Sequence, residues 1–390
     1  MARFEFLSAD AIFDGYSLWK DKLLVVKQEG VIEAVIDAEA VDPVKINHRK
    51  GWLSPGFVNA HCHLELSNMR GMMPEKTGMA DFLLGVFTKR GTHAEQAEAL
   101  AVEAADEMFE QGINAVGDIS NTTVSVAAKM QGKLWFHNFI EVTGLVPALA
   151  EERFARGQML AEFFRKALPE MPVGIVPHAP YTISPDLYGK IAALDEKLQC
   201  IHNQESAAEI EFLRFKQGDM LRLYESLNIS LDFYRPEDKS VLASVQEQLR
   251  PQHQMLWIHN CYTGKEDLQH LDPGIRHYFC LCPNANLYIG NPLPNVPFLK
   301  KAGLNLCIGT DSLASNHRLS VLGEVQVLQQ HFPGLIAVEL LKWATSNGAR
   351  ALQCENRFGE FRQGMKPGIL LLKDVSETGG LAHASIERLY

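Results

Sequence analysis

Gly56-Phe57-Val58-Asn59-Ala60-His61-Cys62-His63 is a short apolar run that ends in two histidines. Residues at i and i+2 on an extended strand project to the same face. Two imidazoles on one face of a strand end suit a single zinc-like ion. An isolated His-X-His pair is read as easily as a polar strand residue packed in place. Which reading holds therefore depends on what the rest of the chain brings to it.

Downstream, runs of the same kind recur. The expected strands are Gly56–His61, Ile113–Asp118, Leu134–Glu141, Val173–His178, Gln199–His202, Met255–His259, Tyr278–Cys282 and Leu304–Gly309. Helical periods lie between them, over Ala94–Gln111, Phe154–Leu168 and Pro185–Lys197, the last with Ser184 as N-cap before Pro185. Strands alternating with helices predict parallel βα units, and eight such units close into a barrel, the α/β (β/α)8 TIM barrel. Two intervals are longer than a βα connection needs. Residues 64–92 read as a long loop rich in Met and Gly, and residues 206–250 as extra helices or a lid. Upstream of residue 56, Leu23–Val26 and Val31–Val35 flank a turn at Glu29-Gly30, and Gly368–Leu372 has the same texture near the other end. The two ends are expected to form one small β-sandwich domain, from residues 1–55 plus 357–390. Residues 56–356 form the barrel.

Composition narrows the function classes. The 390 residues carry 37 Lys and Arg against 47 Asp and Glu, a net charge of −10, which is no footprint for nucleic acid. No apolar run approaches the roughly 18 residues of a membrane span. Met1-Ala2-Arg3-Phe4-Glu5 is not followed by a signal-peptide core. Seven cysteines without a CxxC pair, mostly in apolar runs, read as reduced thiols. A cytoplasmic enzyme acting on a small molecule is expected, with no nucleic-acid or membrane partner.

The remaining histidines shift the balance toward metal. His178, His202 and His259 each end an expected strand, and Asp311 follows the last one. These strand ends are where barrel enzymes build active sites. A core histidine satisfied by a carbonyl explains any one of them, but poorly explains all together.

At this point the chain resembles the amidohydrolase superfamily of metal-dependent barrels, through PGFVNAHCH, HNQE, IHN, CPNAN and GTDSLASN. The resemblance implies His61, His63, His202 and Asp311 as metal ligands, with His259 and Glu205 as further site residues. Dinuclear members of that superfamily carry a bridging lysine at the end of the fourth strand. Here that strand ends His178-Ala179-Pro180-Tyr181. The combination resembles the mononuclear aminohydrolases, which deaminate purines, pyrimidines and their nucleosides. One divalent ion per chain is implied. Zinc suits the donors best, with iron(II) as the alternative. The family commonly forms homo-oligomers, so one is compatible here.

In that reading Glu205, His259 and Asp311 are the catalytic residues. Glu205 protonates the ring nitrogen beside the carbon under attack, and Asp311 and His259 handle the water's proton. The segment His63-Leu64-Glu65-Leu66-Ser67 with Asp81-Phe82-Leu83 downstream resembles the aminodeoxyfutalosine deaminases, whose substrate carries an acidic tail. A carboxylate tail calls for a cation, and Arg70 and Arg90 are the candidates in the long first loop. His178 and Ser312 are further substrate-binding candidates. Ser312 and Asn316 also fit helix caps, Asn284 and Asn286 turn formers, Glu141 an ion-pair partner, and Cys62 packing on the strand's opposite face. Two other readings stay open. One is a different hydrolase of the superfamily, acting on cyclic amides or chlorotriazines. The other is a catalytically inactive barrel kept as a binding protein, which metal analysis would separate.

Overall fold

The computed structural model describes residues 4–194, 196–249, 253–376 and 378–390. Its strands run in order as β1 (Phe4–Phe13), β2 (Leu18–Trp19), β3 (Lys22–Lys27), β4 (Ile32–Asp37) and β5 (Ile46–Pro55). Then come β6 (Phe57–Cys62), β7 (Ile113–Ser120), β8 (Trp135–Val142), β9 (Val173–Pro177), β10 (Leu198–Asn203), β11 (Gln254–His259), β12 (Arg276–Leu281) and β13 (Asn305–Ile308). β14 (Ile369–Lys373) and β15 (Ser385–Arg388) are last.

Strands β6–β9 and β10–β13 form two four-stranded parallel sheets. The sheets join along both edges. At one seam the His202 N–H donates to the His178 carbonyl at 2.9 Å. At the other, the N–H groups of Thr310 and Asp311 donate to the His61 carbonyl at 3.0 and 3.1 Å, and Cys62 bridges Asp311. The eight parallel strands thus close into the expected TIM-type barrel.

One buried cluster draws residues from all eight strands, among them Val58, Ala115, Phe139, Val176, Cys200, Ile258, Cys280 and Cys307. Only the barrel interior can collect them all. The alternate strand residues, such as Ile113, Phe136, Ile201 and Trp257, pack outward against helix residues such as Ala101, Phe164 and Leu340. Strands buried on both faces read as near-continuous apolar runs, which is why they stood out in the sequence.

β6 departs from strict alternation. Val58 and Ala60 face the interior, so His61 would face outward on a regular strand. The pairing with β7 shifts register between Asn59 and Cys62. The extra residue re-aims His61 and His63 inward and leaves Cys62 in the outer core, as expected for Cys62.

The long connections are partly helical. Residues 64–92 contain a 3-10 segment, Leu64–Met69, and the helix Met79–Lys89, where a loop was expected. The 206–250 interval holds helices Ala207–Phe215, Met220–Ser226 and Val241–Leu249. The expected helices appear as Ala97–Glu110, Ala150–Ala167 and Pro185–Ala192, with the Ser184 hydroxyl accepting from the Leu187 N–H.

The two ends of the chain do pair, but the expected sandwich is not what forms. The strands make one mixed seven-stranded sheet, ordered β15-β14-β5-β1-β3-β4 with β2 on β1. β5 hydrogen-bonds to β1 on one side and β14 on the other, so bonding runs on without a break from the N-terminal to the C-terminal strands. Leu7, Leu24, Leu53, Ile369 and Leu371 form its core. A single residue, Gly56, separates this sheet from the barrel. A Cβ there would lie 1.9 Å from Asn114 Oδ1, so no larger residue fits without a shift. Among the described residues no helix is long and apolar enough to cross a membrane, and all seven cysteines are buried and unpaired.

Candidate active site

The strand ends converge as their sequence positions foretold. His61, His202, His259 and Asp311 each offer a ligand atom, and these atoms lie within 4.8 Å of one another. His63 joins them, with Nε2 3.2 Å from His202 Nε2 and 3.5 Å from Asp311 Oδ1. His61 Nε2 lies 3.4 Å from Asp311 Oδ1. His259, read from sequence as a proton carrier, therefore stands as close to the centre as the expected ligands. Three non-glycine residues here hold left-handed backbone, His259 (φ 71°), Asn260 (φ 61°) and Asp311 (φ 56°). Such conformations persist where the surroundings impose them, and they gather at functional sites.

Neighbouring groups fix the rings. His202 Nδ1–H donates to the His178 carbonyl at 2.8 Å, and His259 Nδ1–H to Asn286 Oδ1 at 2.8 Å. In both rings the Nε2 lone pair is left facing the centre, the arrangement second-shell partners give to metal-ligating histidines. Asn286 is thus no turn former. It sits in the helix Pro283–Ile289 and orients His259. Asn284, in the same helix, has its N–H held by Glu324 Oε2 at 2.9 Å. Burial lowers the pKa of His63 to about 3 and that of His259 to about 4, so both rings are neutral near pH 7.

Two observations test whether a cation fits. His61 Nε2 is buried and has no hydrogen-bond partner. The His202 Nε2 lone pair, left free by the Nδ1–H bond to the His178 carbonyl, also faces the centre, 3.2 Å from His63 Nε2. Neutral imidazoles with one carboxylate are the donor set of zinc and of iron(II). The residues fit a divalent ion.

Glu205 follows β10 and is buried. Its Oε1 lies 3.5 Å from His259 Nε2. Burial first, then the charges of Asp311 and Glu209, push its pKa well above the carboxylate range. Glu209, in the first turn of the helix Ala207–Phe215, accepts from the Glu205 N–H at 2.8 Å and the Gln204 N–H at 3.0 Å. It clamps the backbone that carries the acid, and sequence reasoning missed it. The HNQE spacing with a second Glu four residues on was the available signal.

A cavity of about 610 Å³ opens over this centre. His178 lines it, with Nδ1 3.0 Å from the Thr182 hydroxyl, and Ser312 lines it too. Of the two expected tail-binding arginines, neither is free. Arg70 is outside the cavity, pinned at the surface by both Glu107 oxygens. Arg90 reaches the cavity but is paired with buried Glu65 at 3.5 Å. Two other arginines line the mouth, Arg153 and Arg156, on the helix Ala150–Ala167 beside Met159 and Phe163. They looked like ordinary solvated helix arginines in the sequence. Asn316 anchors the loop after Asp311, donating to the Thr310 carbonyl at 2.9 Å and to Glu324 at 2.8 Å. Among the described residues Glu141 pairs with no Lys or Arg. Its Oε1 accepts from Asn121 Nδ2 at 3.1 Å.

Known proteins agree with this geometry. The sequence is 26% identical over 316 residues to an adenosine deaminase of Helicobacter pylori, covering 78% of this chain and 75% of the relative. It is 26% identical over 349 residues to an aminodeoxyfutalosine deaminase of Nitratiruptor sp., covering 87% and 82%. The fold is that of the crystal structure of Helicobacter pylori aminofutalosine deaminase in complex with methylthio-coformycin, with a TM-score of 0.80 at 22% identity over 98% of this chain and 97% of that one. The sequence profile of the amidohydrolase family matches residues 52–384, from the last strand before the barrel to the end of the barrel and beyond. The chain belongs to the amidohydrolase family, whose members are metal-dependent, and is a hydrolase acting on carbon–nitrogen bonds.

Proposed function

We propose that this protein hydrolytically removes the exocyclic amine of a 6-aminopurine nucleoside. The observation that carries the reading is Glu205, a carboxyl held protonated by burial beside a cluster of neutral imidazoles at the floor of an open cavity. The deaminases among its relatives act as support. The end of β9 offers His178 and no lysine, which favours a single ion held by His61, His63, His202 and Asp311.

When bound, a divalent ion there lowers the pKa of its water toward ~7 and makes a nucleophile available at neutral pH. The chain's own residues do the rest. Glu205 donates its proton to the ring nitrogen next to C6, which makes that carbon electrophilic. His259, with Nδ1–H fixed on Asn286, presents Nε2 to take the attacking water's proton. Asp311 is steadied by the Ser315 hydroxyl at 2.5 Å and shares that role. Oxygen adds to C6, and the proton held by His259 or Asp311 passes to the amine. The C6–N bond then breaks and ammonia leaves; the ring nitrogen keeps the proton from Glu205, and the remaining hydroxyl proton on the C6 oxygen passes to the ionised Glu205, which leaves a C6 carbonyl and restores the acid.

The cavity mouth supports a particular tail. Phe82, Phe87, Met159 and Phe163 line it with apolar surface, and Arg153 and Arg156 stand among them. An aromatic tail ending in a carboxylate, as in aminodeoxyfutalosine, matches that wall, with those arginines replacing Arg70 and Arg90 as the cations.

Ammonia release from a panel of aminopurine nucleosides, neutral and acid-tailed, tests the reading. Wild type is expected to turn over at least one. Glu205→Gln is expected to keep its metal and lose turnover ~10²–10⁴-fold, because an amide cannot supply the proton. Turnover of none of the panel, or an active Glu205→Gln variant, overturns the reading.

A further inference from the structure

Glu324 lies on the helix Val321–His331, outside the cavity, and is fully buried. Its two oxygens take hold of different segments. Oε2 accepts from the Asn284 N–H at 2.9 Å, and Oε1 accepts from Asn316 Nδ2 at 2.8 Å. Both donors are uncharged amides. Burying a carboxyl beside uncharged partners is costly, and burial raises the pKa of this one to about 7.

Each donor leads to one of the two groups that handle the water's proton. Asn284 stands in the first turn of the helix Pro283–Ile289, and two residues on, Asn286 accepts from His259 Nδ1–H at 2.8 Å. The other end of the Asn286 amide, Nδ2, is buried and has no partner among the described residues. The amide is therefore aimed by the helix backbone that carries it, not by a second bond of its own. First-turn N–H groups have no acceptor within their helix, and Glu324 supplies one to Asn284. On the other side, Asn316 Nδ2 also donates to the carbonyl of Thr310, the residue before Asp311, at 2.9 Å. Glu324 thus ties the support of His259 to the strand end that carries Asp311. Both of those residues hold left-handed backbone, φ 71° and 56°, which their surroundings must impose.

We propose that Glu324 is a positioning residue: by gripping Asn284 and Asn316 at once, it sets His259 and Asp311 relative to each other, so that both can act on the same water. The step it serves is the transfer of the water's proton to His259 or Asp311 and on to the leaving amine. No bond of Glu324 itself is made or broken. This rests on the proposed deamination of a nucleoside. The rival is a carboxyl that only stabilises the packing of its helix, and the two differ in what a substitution does to turnover.

Glu324→Gln keeps the size of the side chain but has one acceptor and one NH2 donor, so it cannot accept from both amides. It is expected to keep its metal and the KM of wild type on an aminopurine nucleoside. Its kcat per metal-loaded molecule is expected to fall roughly ten- to hundredfold, the scale of a small misplacement of reacting groups. Asn286→Ala breaks the same linkage nearer to His259. The double variant is therefore expected to lose less than the product of the two single losses. Should Glu324→Gln fail to fold, Asn316→Ala removes one of the two donors and carries the same test with the same expectations. A wild-type kcat, a double loss equal to the product, or a loss of turnover that merely follows loss of metal overturns the inference and leaves the deaminase reading standing. Absence of turnover by wild type on every aminopurine nucleoside removes the parent reading and this inference with it.

Discussion

In the proposed reaction Glu205 acts as an acid, and its acidity is set by its surroundings. Burial raises its pKa most, and Asp311 and Glu209 add to that. The sign of the pH dependence follows. The competent form is protonated, so kcat/KM falls as pH rises through the Glu205 pKa, the alkaline limb of the profile. Glu209 has its own pKa raised to about 7 by burial, so its charge is present on that limb. Glu209→Gln removes the charge, lowers the Glu205 pKa, and is expected to move the alkaline limb to lower pH with metal content unchanged. A limb that stays in place or moves up would mean Glu209 acts only as a backbone clamp. At this scale the sequence was informative about ligands and poor about partners. His61, His63, His202, His259, Glu205 and Asp311 could be picked out because each ends a strand. Asn286 could not, because a hydrogen bond across 27 residues leaves no periodic trace, whereas Glu209, which bonds residues four and five back, was missed although its spacing was visible. Arg70 was misread for the same reason, since nothing in its local sequence announces Glu107.

Among the elements, β7 and the short helix Val126–Met130 share the most deeply buried ion pair of the described residues. Lys129 Nζ lies 2.6 Å from Asp118 Oδ2, both side chains are fully buried, and the ammonium sits 4.8 and 5.3 Å from the ring centres of Phe164 and Phe136. The other Asp118 oxygen accepts from the Leu64 N–H at 2.8 Å, directly after His63. The pair therefore ties a packing helix to the segment that carries His63. Lys129→Met leaves the Asp118 charge alone in the core and is expected to cost about 3–5 kcal/mol in denaturant unfolding. Adding Asp118→Asn should recover part of that. A single variant as stable as wild type would show that water reaches Asp118. The strands themselves were legible as apolar runs, and their ends fell within a few residues of expectation. The register shift in β6 was not legible, because alternation alone predicts one face for His61 and His63 but cannot say that it is the inner one.

For the whole molecule, one side chain ties the terminal sheet to the barrel at several points. Arg388, on the last strand, donates to the Phe109 carbonyl at 2.7 and 3.0 Å, the Ile113 carbonyl at 2.9 Å and Asn114 Oδ1 at 3.0 Å, and lies 3.9 Å from the centre of the Phe109 ring. Arg388→Ala strips those acceptors of their donor and is expected to cost roughly 2–4 kcal/mol, seen as a lower Tm, with kcat per folded molecule unchanged. An unchanged Tm would mean the sheet is anchored by its core alone. That both chain ends share one β unit was readable from texture. Its single-sheet form was not, because pairing partners far apart in sequence set it. The barrel seams carry a further consequence. The carbonyls of His61 and His178, which receive the closing hydrogen bonds, belong to site residues, and Asn59 and Thr310 meet at one seam across 251 residues of chain. Loop closure over such a span comes late and slowly. Half of the ring, folded alone, holds His61 and His63 without His202, His259 or Asp311. With the proposed ligand set, neither half of the chain alone has a complete grip on an ion, so ion capture is expected to follow the meeting of the two halves.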